Sequence, residues 1–297
     1  KKLIQLLNET EYDVILLESL FMTPYLGTIK KYSDARTVLR SHNLEHMIWE
    51  RLANSTGNRA KRLYLKHLAS KLKQYEERTI NEVDGIAAIS FEDTNRYQQL
   101  DCKVPLVTIP FGIDLDKYPM EESKRNESTL FHIGAMNWNP NEEAINWFLD
   151  EIWPEVSKMS IRLHLAGREM PEYIRQQATD KLIIDGEVES AVDFMNTHDI
   201  MIVPLLSGSG MRIKIIEAMA LGKAVISTTI GAEGIDCKDG ENICIADSKE
   251  EFISVIGRLL SSREEVERLG KNARQLIESK YANKKIISDL LEFFKEV

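Results

Sequence analysis

The sequence predicts an α/β protein built from two doubly wound parallel-sheet domains, the first of them incomplete. Short β-branched runs alternate with stretches of helical apolar spacing, and this alternation occurs twice along the chain. The runs of the second half are apolar almost throughout, which is typical of parallel strands covered on both faces. With 297 residues, 43% of them hydrophobic, the chain is long enough to bury two cores.

Strand-like runs set the predicted order of elements. In the first half they are residues 14–17, 37–39, 85–89 and 104–109, and in the second half 129–133, 161–166, 182–184, 200–205, 224–227 and 243–245. From residue 249 onward the pattern is helical only. The chain starts without Met and inside a helical pattern, so we expect an N-terminal portion, with early strands of the first domain, to precede it.

The domain boundaries follow from where both patterns fail. The segment Pro110-Phe111-Gly112 and the polar run at 121–128 carry neither helix nor strand signals. We therefore predict a partial first domain at 1–108, a hinge at 109–128, a second domain at 129–282 and a C-terminal helix at 283–297.

Composition excludes several classes of protein. A net charge of -9 argues against a nucleic-acid binder. The three cysteines include no close pair, so neither a disulfide framework nor a cysteine-based zinc site is expected. No apolar run approaches the roughly 18 to 20 residues of a membrane span, and no signal peptide is visible. We expect a cytoplasmic protein.

The stretch from 203 to 229 is the most informative, since it reads strand, glycine-rich loop, helix, turn, strand. Gly208 and Gly210 let backbone N–H groups approach a ligand, and the helix beginning near residue 211 directs its positive end at the same place. In that first turn the cations Arg212 and Lys214 are disfavoured by the positive end of the helix dipole. A bound diphosphate would make their position favourable. The alternative is an ordinary loop in which Lys214 merely pairs with Glu217, three residues along the helix.

Two further positions lie at predicted carboxyl ends of strands. Gly134 ends the strand at 129–133, and Asn139-Pro140 reads as the N-cap and first residue of a helix. His42 follows the strand at 37–39 and is expected to face a ligand cleft. The plainer alternatives are a βα turn at Gly134 and a histidine that caps local backbone at position 42.

Three segments together resemble retaining, nucleotide-sugar-dependent glycosyltransferases of the GT-B fold, family 4. They are 207–234, which includes Ile-Lys-Ile-Ile-Glu-Ala-Met-Ala, then 134–141, Gly-Ala-Met-Asn-Trp-Asn-Pro-Asn, and 109–114, Ile-Pro-Phe-Gly-Ile-Asp. The resemblance covers nearly the whole chain and implies two Rossmann-like domains. It further implies a metal-independent enzyme with no cofactor, which moves a sugar from a nucleotide-diphosphate donor to a glycan or lipid-linked acceptor.

The resemblance also assigns roles to residues. It implies that Glu217 holds the ribose hydroxyls of the nucleotide, that His42 lies beside the donor sugar, and that the backbone at Val188 contacts the base. The family's second glutamate falls at Ser209, and Met136 and Trp138 stand where arginine and lysine are usual. We expect Arg212 and Lys214 to bind the diphosphate in their place, with Gly134, Ser209 and Gly210 also lining the donor site.

Four other interpretations remain open at this stage. Ser209 in place of an acid allows a nucleotide-sugar-binding protein without transferase activity. His42, Glu45 and His46 fit the H-x-x-E-H pattern of zinc peptidases, although Asn43 as a helix N-cap would turn the two rings apart. Asp114-Leu115-Asp116 resembles a metal-binding D-x-D motif within the hinge. The helix predicted at 57–75 carries six cations without an acid, so peripheral membrane contact is an expectation beside a merely solvated face.

Overall fold

The computed structural model describes residues 1–120, 129–208 and 210–297. Within them the chain forms two compact units, the first comprising Lys1–Phe111 with Ile286–Val297 and the second Gly112–Lys285. Each has its own parallel sheet flanked by helices, so the predicted α/β class is confirmed. The dividing point lies between Phe111 and Gly112, inside the segment that the sequence analysis assigned to a hinge. Residues 121–128 of that segment lie outside the described residues.

The first unit has a four-stranded parallel sheet in the order β1-β2-β3-β4. Its strands are β1 Val14–Glu18, β2 Arg36–Ser41, β3 Gly85–Ala88 and β4 Leu106–Thr108. Its helices are α1 Lys2–Glu9, α2 Leu26–Tyr32, α3 Glu45–Ser55, α4 Arg59–Thr79 and α5 Phe91–Gln99, with a 3-10 turn at Leu20–Tyr25.

The strands of this sheet are covered on both faces. In β2 the side chain of Leu39 joins one apolar cluster, which includes Ile86 and Tyr97. Its neighbour Val38 points the other way into a second cluster, which Phe293 completes. Phe293 lies on the last helix, α13 Asn283–Glu296, and a Cβ at Gly85 would come within 2.9 Å of its ring. The terminal helix, predicted as a separate element, thus belongs to the first unit from residue 286 onward.

The second unit has a six-stranded parallel sheet in the order β10-β9-β8-β5-β6-β7. Its strands are β5 Thr129–Ile133, β6 Arg162–Ala166, β7 Leu182–Gly186, β8 Ile200–Val203, β9 Ala224–Ser227 and β10 Cys244–Ile245. Its helices are α6 Asn139–Trp147, α7 Trp153–Val156, α8 Glu172–Arg175, α9 Ala191–Asn196, α10 Ile213–Ala220, α11 Lys249–Ser261 and α12 Arg263–Lys280. A 3-10 turn at Leu115–Lys117 and a π-helical segment at Phe148–Ile152 complete it.

Successive side chains of each strand point to opposite faces of the sheet and so divide the core of this unit into two clusters. Leu130 and Ile202 face the cluster that contains Phe148 and Phe252. Phe131 and Met201 face the other, together with Ile216 of α10. The near-continuous burial of β8 and β9 is that of a sheet covered on both faces. The ten strand-like runs read from the sequence all correspond to observed strands.

Candidate donor site

The strand order of the second unit locates its ligand crevice. From β5 the chain proceeds through β6 and β7 to one edge, and from β8 through β9 and β10 to the other. β5 and β8 are adjacent and parallel, so their order reverses between them. In open parallel sheets ligands bind beyond the carboxyl ends of the strands at this reversal. The loops that follow β5 and β8 are therefore the place to examine.

The loop after β5 packs closely against the loop after β6. The Gly134 N–H donates to the carbonyl of Ala166 over 3.0 Å, and Met136 N–H to that of Arg168 over 2.9 Å. Gly167 has a φ of +153°, and a Cβ there would overlap the carbonyl oxygen of Gly134. A Cβ at Gly134 would in turn come within 2.6 Å of the Asn141 amide. Gly167 requires glycine because the backbone of Gly134 occupies the space of a side chain, whereas at Gly134 that space is filled by the side chains of Asn141 and His132.

Helix α6 follows this loop and begins at Asn139, with Trp138 as its N-cap residue. The prediction of Asn139 as N-cap was therefore off by one position, and Pro140 is the second helical residue. The Asn141 side chain donates to the carbonyl of Ala135 over 3.0 Å, which holds the loop against the start of the helix.

The loop after β8 is held against α6 and Trp138. The Ser207 hydroxyl donates to the Glu143 carboxylate over 2.6 Å. Gly208 has a φ of +126°, and a Cβ there would lie 2.7 Å from the Arg212 guanidinium and 3.2 Å from the Trp138 ring. Gly210, with a φ of +83°, follows. Ser209, which the sequence analysis assigned to the donor site, lies outside the described residues.

Arg212 is brought to the carboxyl end of the sheet by this loop. It is the N-cap residue of α10, which begins at Ile213, so the prediction that it sits within the first helical turn was wrong by one residue. Its guanidinium lies over the Trp138 ring, 5.3 Å from the centroid, and Nη1 donates to the carbonyl of Gly210. The residue is 9% exposed. A guanidinium on an aromatic face, next to a helix N-terminus, is well suited to meet a phosphate group.

Lys214 and Glu217 form an ion pair on α10, as the structural alternative to a ligand role predicts. Lys214 Nζ lies 2.5 Å from Glu217 Oε2. The Lys214 side chain is 43% exposed and that of Glu217 is 15% exposed. The Glu217 carboxylate therefore has a cationic partner on its own helix and is partly exposed.

Tyr118 completes the surroundings of Glu217 and was not predicted from the sequence. Its hydroxyl donates to Glu217 Oε1 over 2.9 Å. Burial, reinforced by the hydrogen bond to Glu217 and that carboxylate's charge, raises the pKa of Tyr118 to about 12. Ninety-nine positions separate the two residues, and no local spacing pattern signals such a contact.

His132 is a second site neighbour that the sequence analysis missed. Its Nδ1–H donates to the carbonyl of Ile202 over 3.0 Å, linking β5 to β8. A Cβ at Gly134 would lie 3.0 Å from its Nε2. Complete burial lowers the pKa of His132 to about 4, although the bond to Ile202 opposes the shift. The imidazole is therefore neutral at physiological pH.

Val188, expected to contact the base, lies between β7 and α9 with its side chain packed on the apolar cluster that contains Phe131. Strand β7 ends at Gly186, which has a φ of +68°, and its carbonyl accepts from the Gly167 N–H over 2.6 Å. The loops after β5, β6 and β7 are thus joined in series at one end of the sheet. The second unit contains all the described residues that the sequence analysis assigned to the nucleotide-diphosphate part of the donor, namely Gly134, Val188, Gly210, Arg212, Lys214 and Glu217.

His42 lies in the other unit, directly after β2. Its Nε2 is 2.9 Å from a carboxylate oxygen of Glu18 at the end of β1, and its side chain is 47% exposed. Arg40 is 3.8 Å from the same oxygen. The histidine thus stands at the carboxyl end of its strand, as predicted.

The zinc-peptidase interpretation fails on the partners of its two histidines. His46 is buried and bonds to the Glu76 carboxylate, whereas His42 bonds to Glu18. Helix α3 begins at Glu45 with Leu44 as N-cap, not Asn43. Glu76 also accepts from the N–H groups of Glu45 and His46, and so closes the start of this helix. Within 1–120, 129–208 and 210–297, no group of three His, Cys, Asp or Glu side chains is arranged to hold a metal ion.

The D-x-D segment is used locally. The Asp114 carboxylate accepts from the Asp116 N–H over 3.3 Å and lies 3.8 Å from Lys117 Nζ. Its role in the structure is to cap the 3-10 turn at Leu115–Lys117.

The basic helix predicted at 57–75 is α4. Leu65 is buried and Leu68 half-buried, so the apolar stripe is a core contact as expected. Leu63 and Tyr64 are 71% and 66% exposed on the outer side, among exposed lysines. No helix in the parts of the chain that the structure describes is long and apolar enough to cross a membrane.

Comparison with known proteins agrees with this geometry. Residues 127–262 match the family model "Glycosyl transferases group 1". An uncharacterized 44.6 kDa protein in the cps region of Klebsiella pneumoniae is 27% identical over 96% of this chain and 74% of its own length.

Two solved structures share the fold. HepE of Anabaena in complex with UDP has a TM-score of 0.75 at 14% identity, over 100% of this chain and 81% of its own. Sucrose-phosphate synthase of Thermosynechococcus elongatus has a TM-score of 0.70 at 14% identity, over 96% of this chain and 73% of its own. The chain therefore has the fold of the GT-B glycosyltransferases, and residues 127–262 of its second unit are similar in sequence to the group 1 glycosyltransferases.

Proposed function

We propose that the protein transfers a sugar from a nucleoside-diphosphate sugar to a glycan or lipid-linked acceptor with retention of anomeric configuration. The observation that carries this proposal is the placement of Arg212. A nearly buried guanidinium lies on the Trp138 ring, between a glycine-rich loop and the start of α10, at the strand reversal of a parallel sheet. Glu217 follows about one turn later on the same helix and is the acceptor for the ribose hydroxyls.

The reaction breaks the bond between the anomeric carbon of the sugar and the terminal phosphate oxygen. A bond forms between that carbon and an acceptor hydroxyl oxygen, whose proton leaves with the nucleoside diphosphate, so no electron acceptor is needed. The task of the protein is to orient donor and acceptor and to stabilise the negative charge of the departing diphosphate. Arg212 supplies that charge stabilisation, and Lys214, which stays paired with Glu217, adds a second positive charge near the start of the same helix.

His42 is proposed as a residue beside the donor sugar. Glu18 accepts from its Nε2–H and favours a ring orientation in which Nδ1 faces away from that carboxylate. In this role His42 orients the sugar and forms no bond to it.

UDP-sugars are the first donors to test, because the Anabaena HepE structures were solved with UDP and with UDP-glucose. The experiment incubates the chain with a panel of UDP-, GDP- and ADP-sugars and varied glycan and polyprenyl-phosphate acceptors. Acceptor-dependent release of nucleoside diphosphate, with a glycoside that keeps the donor's anomeric configuration by NMR, supports the proposal. Donor binding without glycoside formation across the acceptor panel favours instead a nucleotide-sugar-binding protein.

Peripheral membrane contact through α4 is proposed as well. Leu63 and Tyr64 are exposed on a helix whose lysines at 61, 66 and 71 are exposed too, a combination that binds anionic lipid surfaces. Arg62 is engaged with the carbonyl of Thr56 at 2.9 Å, so Lys61, Lys66 and Lys71 are the residues to reverse to Glu. Loss of co-sedimentation with phosphatidylglycerol vesicles in that variant, but not after Lys158→Glu, supports the contact, and equal sedimentation refutes it.

A further inference from the structure

We infer that Tyr118 is a positioning residue of the nucleotide site, whose hydroxyl holds the Glu217 carboxylate in the orientation that receives the two ribose hydroxyls. This inference rests on the proposed function of the site. It adds a residue from the segment after Gly112, which no sequence motif of the chain assigns to the nucleotide.

The hydrogen-bond capacity of Glu217 fits this role. Tyr118 donates to Oε1 over 2.9 Å, and Lys214 Nζ lies 2.5 Å from Oε2. Each carboxylate oxygen accepts about two hydrogen bonds. Counting the donors within residues 1–120, 129–208 and 210–297, one acceptor position stays open on each oxygen, and a vicinal diol that donates once to each oxygen requires that number.

Tyr118 is itself fixed to the helix that carries Glu217. Arg274 of α12 donates from Nη1 to the backbone carbonyl of Tyr118 over 2.7 Å. The same nitrogen donates to the carbonyl of Ala220, the last residue of α10. The Tyr118 side chain also packs against the apolar cluster that contains Ile216 of α10. The hydroxyl is thus set in place by backbone and core contacts that do not involve Glu217.

The direction of the hydrogen bond is also fixed. Burial and the adjacent carboxylate raise the pKa of Tyr118 to about 12, so the hydroxyl keeps its proton throughout the physiological range. It is therefore the donor in the bond to Glu217 Oε1. Tyr118 therefore occupies one of the two acceptor positions of Glu217 Oε1. The bond also favours one orientation of the carboxylate about the Cγ–Cδ bond of Glu217.

Two other roles for Tyr118 predict different effects on nucleotide affinity. If Tyr118 merely occupied the place of a ribose hydroxyl, the nucleotide would have to displace it, and removal of the hydroxyl would tighten binding. If the residue served stability alone, its removal would affect every nucleotide alike. A positioning role predicts a loss of affinity that depends on the ribose hydroxyls.

The test is calorimetric titration of the whole chain with UDP, ADP, GDP and CDP, followed by the 2′,3′-dideoxy form of the tightest binder. Tyr118→Phe is compared with the unchanged chain and with Tyr173→Phe. Tyr173 is a matched control, since its hydroxyl donates to the Glu142 carboxylate over 2.7 Å in the same unit. We expect Tyr118→Phe to weaken the ribonucleotide about tenfold and the dideoxy form less than about twofold, and Tyr173→Phe to leave both unchanged.

Equal loss for both ligands, no loss, or tighter binding in Tyr118→Phe overturns the inference while leaving the nucleotide site standing. Binding of none of the four nucleotides by the unchanged chain overturns the proposed function, and the role of Tyr118 with it. A second readout uses Glu217→Gln. Because Tyr118 acts only through that carboxylate, Tyr118→Phe should have no further effect in the Glu217→Gln chain, and an additive loss there contradicts the inference.

Discussion

The indole ring of Trp138 lies against the guanidinium of Arg212, 5.3 Å from ring centroid to Cζ. The contact joins the loop after β5 to the loop after β8, the two strands at which the order of the sheet reverses. Trp138 stands where the resemblance to family 4 leads one to expect a cation. The ring packs against Arg212 from the neighbouring loop, so a positive charge lies next to Trp138 although position 138 itself has none.

Replacement of Trp138 by Leu is expected to weaken the binding of nucleoside diphosphates. Arg212 loses the ring face against which it packs, a contact worth about 0.5 to 2 kcal/mol. Calorimetric affinity for UDP should fall by a factor of about 2 to 30, whereas the affinity for uridine should not change. Trp138→Phe, which keeps a ring, should restore part of the loss, and equal affinities in all three chains contradict the role of the contact.

Gly167→Ala is expected to destabilise the second unit by about 2 kcal/mol or more. A methyl group at this position would overlap the carbonyl oxygen of Gly134, and the φ of +153° is unfavourable for any other residue. Chemical denaturation followed by tryptophan fluorescence reports on this unit, since three of the four tryptophans lie in it.

Gly257→Ala is the matched control for that substitution. Gly257 lies within α11, and outside this helix the nearest described atom to a Cβ there would be Met159 Cε at 3.9 Å. Because alanine favours a helix over glycine, this variant should be unchanged or more stable by up to about 1 kcal/mol. If Gly167→Ala is as stable as Gly257→Ala, the close approach of the two loops is not required.

Acid is expected to destabilise the second unit in part through His132. The folded-state pKa of about 4 lies below the ordinary value of 6.5, so between these values the unfolded chain binds a proton that the folded chain does not. The His132 contribution to the free energy of unfolding is thus complete above pH 6.5 and is lost as the pH falls toward 4. The loss amounts to about 1.4 kcal/mol per pH unit, or about 3 kcal/mol in all.

Urea denaturation at a series of pH values between 7 and 4 measures this contribution. His132→Asn keeps a donor for the carbonyl of Ile202 but does not titrate, so its free energy of unfolding should fall less steeply over this range. The same slope in both chains would show that His132 is charged in the folded protein or that its burial is relieved.

The positions of the strands could be read from the sequence because each is a short apolar run with polar or glycine punctuation. The run at 200–205 and the observed strand β8 Ile200–Val203 differ only where Pro204 ends the pairing. Helix starts were less accurate. Three helices, α6, α10 and α3, have N-cap residues whose side chains make no hydrogen bond to the helix, namely Trp138, Arg212 and Leu44. The polar N-cap residue by which a helix start is usually recognised was therefore absent or misleading.

Contacts between distant segments could not be predicted. Strand order and loop length bring Tyr118 next to Glu217 and Trp138 next to Arg212. No spacing pattern in the sequence indicates either contact. The pairing of Lys214 with Glu217 could be foreseen, since three residues along a helix place side chains on one face. The assignment of the last helix to the first unit depended on Gly85 and Phe293, which are more than 200 positions apart.

Binding of UDP against uridine in the Arg212→Gln chain tests the central claim most directly. Arg212→Gln removes the charge but keeps a polar side chain that can donate hydrogen bonds. We predict that the affinity for UDP, measured by calorimetry, falls at least about tenfold while that for uridine is unchanged, because only the former carries the diphosphate. Equal affinity for UDP in Arg212→Gln and the unchanged chain would contradict the assignment of the diphosphate to this loop.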